Sequence, residues 1–365
     1  MEYVQERIAT LHDFDGAAPP APTDRTAVVV PMTARDRASL AAERVFSTLE
    51  AVDPKRVIVA LRADPDRVAA VAQWLSSFDL PLETLWCSAP AVASALTEAG
   101  LDGSDGKGRD VWLALGVAAE RAEYVVVHDA DAENYAPTHV PRLLFPLAQG
   151  YDFVKAYYAR VENDRLYGRL FRLFYVPLVR ALAESHDASI LEYFGAFRYA
   201  LAGEFAATSE LVRELRPPRG WGLEVGTLGD AFQSAGFDNS AQVDLGMHEH
   251  DHRAVGGPEG LGNMAREVAA ALFRALEANG VTPDYASLPD RYRTAAQTAV
   301  EQYATDAAFN GLTYDRANER TQVDEYARSI EPPGEDDRLP AWARTSLDPA
   351  QIATLATESL AEHRT

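Results

Sequence analysis

The chain has 365 residues, enough for one large or two modest domains, and 47% of them are apolar, which places it among folded globular proteins. A formal charge of −21 argues against a nucleic-acid partner, because a phosphate backbone demands a basic face, and no apolar run approaches the roughly 18 residues of a membrane span.

Residues 1–24 end in GAAPPAPTD, a Pro/Ala-rich stretch that reads as an arm before the first strand, and the charged start MEYVQERIATLHDFDG is unlike a secretory signal, so a cytoplasmic protein is expected. TAVVVP (26–31) is a β-branched run stopped by Pro31, and RASLAAERVFSTLEAV after it has helical apolar spacing. RVIVALRA (56–63) and LETLWCS (82–88) are further strands, with the helical PDRVAAVAQWLSSF between them. GRDVWLALGVAAERA (108–122) is a helix that feeds a fourth strand, EYVVVHDAD. Short apolar strands alternating with amphipathic helices specify an α/β protein with a Rossmann-like, mostly parallel sheet, whose ligands lie beyond the carboxyl ends of the strands.

Beyond residue 150 the pattern changes. YDFVKAYYAR (151–160) reads as a strand with aromatic alternation, LYGRLFRLFYVPLVRALAES as a helix interrupted at Pro177, and RYALAGEFAATSELVREL as a turn leading into a helix. WGLEVGTLGDAFQSAG (221–236) is another helix, AQVDLGMHEHDH (241–252) begins as a strand, and 264–280 and 289–310 are amphipathic helices. IEPPGEDDRLP (330–340) reads as a linker and the tail from 341 as a short surface helix.

The stretch YVVVHDADAENY drives an apolar strand straight into Asp129 and Asp131. Two carboxylates one residue apart repel unless a cation lies between them, and a hard divalent ion bound through oxygen is the cheapest neutraliser. With 55 acidic residues a lone D-x-D arises by chance, so its placement at a strand end carries the reading. Lys107, flanked by glycines at a helix entrance, suits an anionic oxygen. Its alternative is a solvated loop lysine, weakened because only Lys55, Lys107 and Lys155 among 34 cations are lysine. An acidic, lysine-poor surface also fits a salt-rich cytoplasm, where screening relieves self-repulsion.

MHEHDH spaces His248, His250 and His252 at period two, so on an extended strand all three would face one side. No Cys pair or H-E-x-x-H helix supports zinc, and one histidine joining two aspartates on Mg²⁺ or Mn²⁺ fits better. Glu224 lies between glycines on a helix entry turn, with Asp230 six residues on; it is either a carboxylate that orients or deprotonates an acceptor hydroxyl or a surface charge. Gly168 with Arg165, Arg169 and Arg172 is either a forked anion site or a salt-bridged helix face. Cys87 has no partner for an internal disulfide and reads as a small buried apolar residue rather than a nucleophile.

The order of these pieces says more than any one of them. A strand ending in Pro, then GKGRDVWLAL, HDAD, FVKAYYAR, GR before a PLV helix, ALAGEFA, WGLEVGTLGD and AQVDLGMHEH, spanning about residues 26–280, resembles the glucosyl-3-phosphoglycerate synthases, here of a haloarchaeal type. These are retaining glycosyltransferases of the GT-A fold that use a nucleotide sugar and a divalent metal. The resemblance implies a D-x-D pair in Asp129 and Asp131, the second binding metal directly, with His250 as a further metal ligand. It implies Lys107 near the donor together with Pro31, Asp129 and Ala130, and Glu224 beside the transferred sugar, so that Glu224 and Asp131 are the catalytic candidates. Gly168 and Arg169 match the start of the acceptor-binding segment. Mg²⁺ or Mn²⁺ as the metal, UDP-glucose as donor and a small anionic acceptor such as 3-phosphoglycerate follow from the same resemblance, with a homodimer as candidate assembly.

The implied division is an arm (1–24), a GT-A catalytic domain (25–255) whose nucleotide-sugar half ends near residue 150, a helical C-terminal region (256–330), and a linker and tail (331–365). Departures fall in three places: Phe171 where the family has threonine, PMTARD where it has an asparagine and two glutamates, and His248 where it has arginine. Mannosylglycerate synthases share the G-K-G and D-x-D, so another hexose or acceptor is an alternative. A nucleotidyltransferase would carry a glycine-rich phosphate loop, which PMTARDRAS lacks, and an inactive GT-A-like binding module would have no use for both aspartates, the histidine and the lysine together.

Overall fold

The computed structural model describes residues 5–249 and 257–363. Its strands in chain order are β1 (Ala9–Leu11), β2 (Thr26–Thr33), β3 (Arg56–Arg62), β4 (Leu82–Trp86), β5 (Tyr124–Val127), β6 (Phe153–Ala159), β7 (Val161–Glu162), β8 (Arg165–Leu166), β9 (Phe205–Thr208) and β10 (Ser240–Met247). Eight of them form one sheet in the order β1-β10-β6-β9-β5-β2-β3-β4, while β7 and β8 form a separate hairpin. Neighbours are parallel except β9, which runs antiparallel to both β5 and β6.

The helices of the first half are α1 (Leu40–Val52), α2 (Pro65–Leu75), α3 (Pro90–Glu98), α4 (Lys107–Arg121) and α5 (His139–Ala148). Those of the second are α6 (Val176–Ala183), α7 (Ser189–Ala196), α8 (Ser209–Glu214), α9 (Leu223–Ser234), α10 (Gly257–Ala278), α11 (Leu288–Phe309), α12 (Arg316–Ala327) and α13 (Pro349–Glu362). Val28, Val29 and Val30 in β2, Val57 to Leu61 in β3 and Val125 to Val127 in β5 are fully buried, which is why these strands read as continuous apolar runs instead of alternating ones. Because β2 pairs with β3 on one side and β5 on the other, the strand order reverses there, and a crevice opens beyond their carboxyl ends.

Several expectations change. The arm carries the edge strand: Ala9, Thr10 and Leu11 pair in parallel with Ala241, Gln242 and Val243, and three residues are too few to show a period. The stretch read as a turn into a helix contains β9, a four-residue strand too short to show a period, whose central Ala206 and Ala207 have little β propensity and are enclosed by β5 and β6. Pro177 interrupts nothing. A π-helical turn over Leu170–Tyr175 passes directly into α6, and the chain stays helical through Pro177 with its winding changing at Val176, one residue before the proline that lacks an N–H.

At the C-terminus α11 packs on α6 and α12, and α13 packs on β4, α3 and α4 with Ile352, Ala356 and Leu360 buried, so the tail helix belongs to the core. Trp342 stacks on Trp112 with ring centroids 4.2 Å apart, and each indole N–H donates to backbone of the other segment, to Trp112 O and Pro340 O, both at 2.8 Å.

Candidate functional site

The crevice is a cleft of about 770 Å³. Pro31 and Thr33 from the end of β2, Lys107 at the start of α4, and Asp129, Ala130 and Asp131 after β5 line one side; the loop before α9, one face of α10 and residues 331–337 close the other. The segment read as a linker is therefore a wall of the site.

The G-K-G sequence has a packing reason. A Cβ on Gly106 would lie 2.3 Å from Arg219 O, and one on Gly108 would lie 1.9 Å from Pro218 O, so only glycine lets the start of α4 press against the loop before α9. Arg109 N donates to Arg219 O at 3.1 Å across this contact. The Arg219 side chain in turn bonds Leu101 O (2.9 Å), Asp102 O (3.2 Å) and Asp337 O (3.2 Å), tying three segments of the rim together. The close approach carries Lys107 to Glu224, which lies in the first turn of α9, where a carboxylate also meets the positive end of the helix dipole.

Lys107 Nζ is 2.7 Å from Asp129 Oδ1 and 3.4 Å from Glu224 Oε1. Burial alone would lower its pKa, but Asp129 and Glu224 outweigh burial and hold the ammonium well above its usual value. Asp129 responds oppositely: burial raises its carboxyl, Lys107 opposes the rise, and Glu204 and Asp131 add to it. One ammonium thus faces three carboxylates, and the cluster carries excess negative charge on the cleft side.

On its far side Asp129 rests against Gly203, where a Cβ would lie 2.3 Å from Asp129 Oδ2. The next residue, Glu204, is buried and accepts a hydrogen bond from Tyr158 Oη at 3.0 Å. Tyr158 stacks on His248 with centroids 4.2 Å apart, and His248 Nε2 is 3.7 Å from Glu204 Oε1. The expectation of three histidines on one strand face needs β10 to run through residue 252, whereas it ends at Met247 and His248 is buried in this aromatic cluster. His250 and His252 lie outside the described residues.

The chain just ahead of His250 is nevertheless stapled to the loop after Asp131. Glu133 N donates to Glu249 O at 2.9 Å, Glu249 N donates to Asn134 Oδ1 at 3.2 Å, and the Asn134 side chain also reaches Met247 O. Among the described residues no three His, Cys, Asp or Glu side chains form a ready metal-ligand set. The oxygen donors Asp129 and Asp131 and the excess negative charge between them suit a hard divalent cation, so the residues present fit such an ion.

Gly168 and Arg169 are not on the wall of this cleft. Arg169 Nε donates to Glu319 Oε1 at 3.0 Å and Arg172 Nη1 to Glu319 Oε2 at 3.4 Å, with Tyr314 Oη also donating to Glu319 Oε2 at 3.4 Å. The salt-bridged alternative is thus realised, yet two guanidinium groups share one carboxylate and leave positive charge. Phe171 is buried between Tyr175 and Tyr199, at centroid distances of 5.7 and 4.7 Å. Asp230 is remote from the chemistry: it accepts from Arg216 N at 2.6 Å, and burial raises its carboxyl to about 6. Cys87 is fully buried, and burial pushes its thiol up, as an inert core residue requires.

Reading the sequence alone misses Glu204, Arg219, Glu319 and the wall at 331–337. Glu204 lies in a stretch that reads as a turn, Arg219 falls between the segments given a reading, and Glu319 meets Arg169 across 150 residues of chain, a distance no local pattern reports.

No family model matches the chain. A glucosyl-3-phosphoglycerate synthase of Methanococcoides burtonii is 32% identical over 380 residues, spanning 94% of this chain and 93% of that protein. One of Persephonella marina is 35% identical over 292 residues, spanning 75% and 72%. Among solved structures, the glucosyl-3-phosphoglycerate synthase of Mycobacterium tuberculosis in complex with Mg²⁺ and UDP matches with a TM-score of 0.56 at 27% identity over 76% of this chain and 88% of that one. The same enzyme in complex with Mn²⁺, UDP-glucose and phosphoglyceric acid matches with a TM-score of 0.56 at 27% identity, over 76% and 89%. The mostly parallel sheet flanked by helices is accordingly a GT-A fold. With a third of its residues shared across nearly its whole length with such a synthase, the chain belongs to the glucosyl-3-phosphoglycerate synthase family of glycosyltransferases.

Proposed function

We propose that this enzyme transfers glucose, with retention at the anomeric carbon, from UDP-glucose to 3-phosphoglycerate, and that it depends on Mg²⁺ or Mn²⁺. The observation that carries the reading is the cleft at the switch point of the sheet, where Lys107 is wedged between Asp129 and Glu224 beside Asp131. Asp131, with Asp129 and His250, would hold the divalent ion, which when bound supplies Lewis-acid stabilisation of the departing diphosphate.

The remaining roles fall to this chain's own side chains. Lys107 is held cationic by its carboxylate partners and stands at the amino end of α4, so ammonium and helix dipole act together on donor phosphate oxygens. Glu224 orients the glucosyl hydroxyls at the opening of α9. Residues 331–337 and the Arg219 rim limit water around the donor, favouring transfer over hydrolysis. Arg169 takes the anionic end of the acceptor and shares its guanidinium with Glu319 while doing so.

The experiment is turnover of the purified protein in molar KCl with a panel of nucleotide sugars and small acids, read as released nucleoside diphosphate. UDP-glucose with 3-phosphoglycerate should lead the panel and chelator should abolish turnover; full rate in chelator removes the metal from the reading. The proposal extends to a cytoplasmic enzyme working in high salt, supported by the charge of −21 and the three lysines, for which melting temperature should fall on dilution of KCl. A homodimer is its assembly, to be read by light scattering in the same buffer.

A further inference from the structure

Lys155, in the middle of β6, has none of its surface exposed. Its Nζ donates to Ala202 O at 2.5 Å and lies 5.7 Å from the centroid of the Phe205 ring. A buried ammonium with a carbonyl partner is a costly structural choice, since an apolar side chain of the same length would fill the space without desolvating a charge. Something other than packing has to account for it.

Two observations point the same way. The first is electrostatic: burial lowers its pKa to about 8, Glu224, Glu204 and Asp129 oppose that fall and Lys107 adds to it, so the charges it senses are those of the cleft cluster and of the carboxylate behind it. The second is geometric. Ala202 begins the turn into β9; Gly203, next in sequence, is the residue on which Asp129 rests, and Glu204 after it anchors Tyr158. Pinning Ala202 O therefore pins the surface that seats Asp129. The chain's composition adds an independent hint, because two of its three lysines, in an arginine-dominated set of 34 cations, bear on the same carboxylate, Lys107 by a direct ion pair with Asp129 and Lys155 through the turn on which Asp129 rests. An ammonium is a compact point charge that a planar guanidinium does not replace in so confined a space.

We propose that Lys155 is a positioning residue for glycosyl transfer: it fixes the Ala202–Glu204 turn and supplies positive charge beneath the cluster, holding Asp129 and Glu224 where donor and metal require them. The inference rests on the reading of that cluster as the reactive centre. It concerns a residue that touches neither substrate nor metal and acts through those that do.

The test is steady-state kinetics of the full chain in molar KCl with Mn²⁺, UDP-glucose and 3-phosphoglycerate, with melting temperature measured alongside. Lys155→Met should lower kcat by about 30- to 100-fold, the upper part of the range for loss of a group that orients metal-site carboxylates, while donor KM stays within about threefold and melting temperature is unchanged or higher. Lys155→Gln, which keeps a donor for Ala202 O without the charge, should lose less, about tenfold. Wild-type kcat in either variant overturns the proposal, as does a kcat loss accompanied by proportional losses in donor affinity and melting temperature, which would make Lys155 a packing residue only. If Lys155→Met does not fold, Lys155→Gln decides by the same criteria. Donor hydrolysis by water is followed in parallel: absence of transfer by the wild-type protein would count against the acceptor assignment, while the Lys155 variants would still be ranked by their hydrolysis rates.

Discussion

Two ionic clusters in this molecule are built with opposite imbalance. In the cleft, Asp129, Asp131 and Glu224 outnumber Lys107, so the cluster is short of positive charge; behind the β7–β8 hairpin, Arg169 and Arg172 outnumber Glu319, so that cluster is short of negative charge. In the proposed function a divalent cation would complete the first and an anion the second, the two kinds of charge that a metal-bound nucleotide sugar and a phosphorylated acid bring. Their surroundings differ as well. Carboxylates in the first are pressed together by backbone contacts at glycines, whereas the second joins elements 150 residues apart through side chains alone, with Arg172 and Glu319 buried and Arg169 at the surface.

The comparison breaks most sharply at Asp131. Asp131→Ala should reduce transfer by about 10³-fold or more, since the developing charge on the diphosphate loses its counter-ion, and the melting temperature should change little because the residue lies on the cleft wall. Retained turnover, measured as released UDP, would mean that the negative cluster is not a metal site.

The positive cluster is sharpened by Glu319→Gln. Removing the internal carboxylate charge while keeping an amide oxygen for the two arginines should lower KM for 3-phosphoglycerate by about three- to tenfold and leave KM for glycerate nearly unchanged, since charge-assisted contacts are worth roughly 1.5–3 kcal/mol. Phe171, apolar and buried where the resemblance implies a threonine hydroxyl, should leave the wild-type protein with weaker preference between these two acids, so the gain is to be read in competition. An unchanged ratio would separate Arg169 from the acceptor.

A different kind of effect, on stability and not on turnover, concerns a carboxylate outside both clusters. Asp230 is raised from 3.8 to about 6 by burial, so between those values the folded state holds a proton that the unfolded state has lost. Its contribution is therefore fully present below about pH 4 and is lost as pH rises through 6, amounting to about 3 kcal/mol at roughly 1.4 kcal/mol per unit. Asp230→Asn should match wild type near pH 4 and exceed it at pH 7, read from urea midpoints in molar KCl. Parallel curves would show that Asp230 is not desolvated as described.

What the sequence reveals of this architecture follows the range of the forces involved. The strand into Asp129 and Asp131 and the glycines beside Lys107 are legible because each is fixed within a few residues. The shared face read for the histidine trio needs a strand through residue 252, and β10 stops at Met247, one residue before His248. β1 and β9 escape notice because each is too short to show a period, and the two alanines at the centre of β9 gain their strand character from the neighbours enclosing them. The wall at 331–337 has the Pro/Gly/acid composition of a linker, and only long-range contacts, such as Arg219 to Asp337 O and Leu339 N to Pro217 O at 3.1 Å, turn it into part of the site.

The central claim, that the negative cluster serves the donor and the positive cluster the acceptor, is tested most directly by measuring transfer and acceptor-free hydrolysis of UDP-glucose side by side in Lys107→Ala and Arg169→Ala. The account predicts that Lys107→Ala depresses both rates by a similar factor, of about 10², whereas Arg169→Ala raises KM for 3-phosphoglycerate by about ten- to a hundredfold and leaves hydrolysis near the wild-type rate. Equal losses of transfer and hydrolysis in Arg169→Ala would contradict it, placing the arginine pair in the donor site or in the framework of the fold.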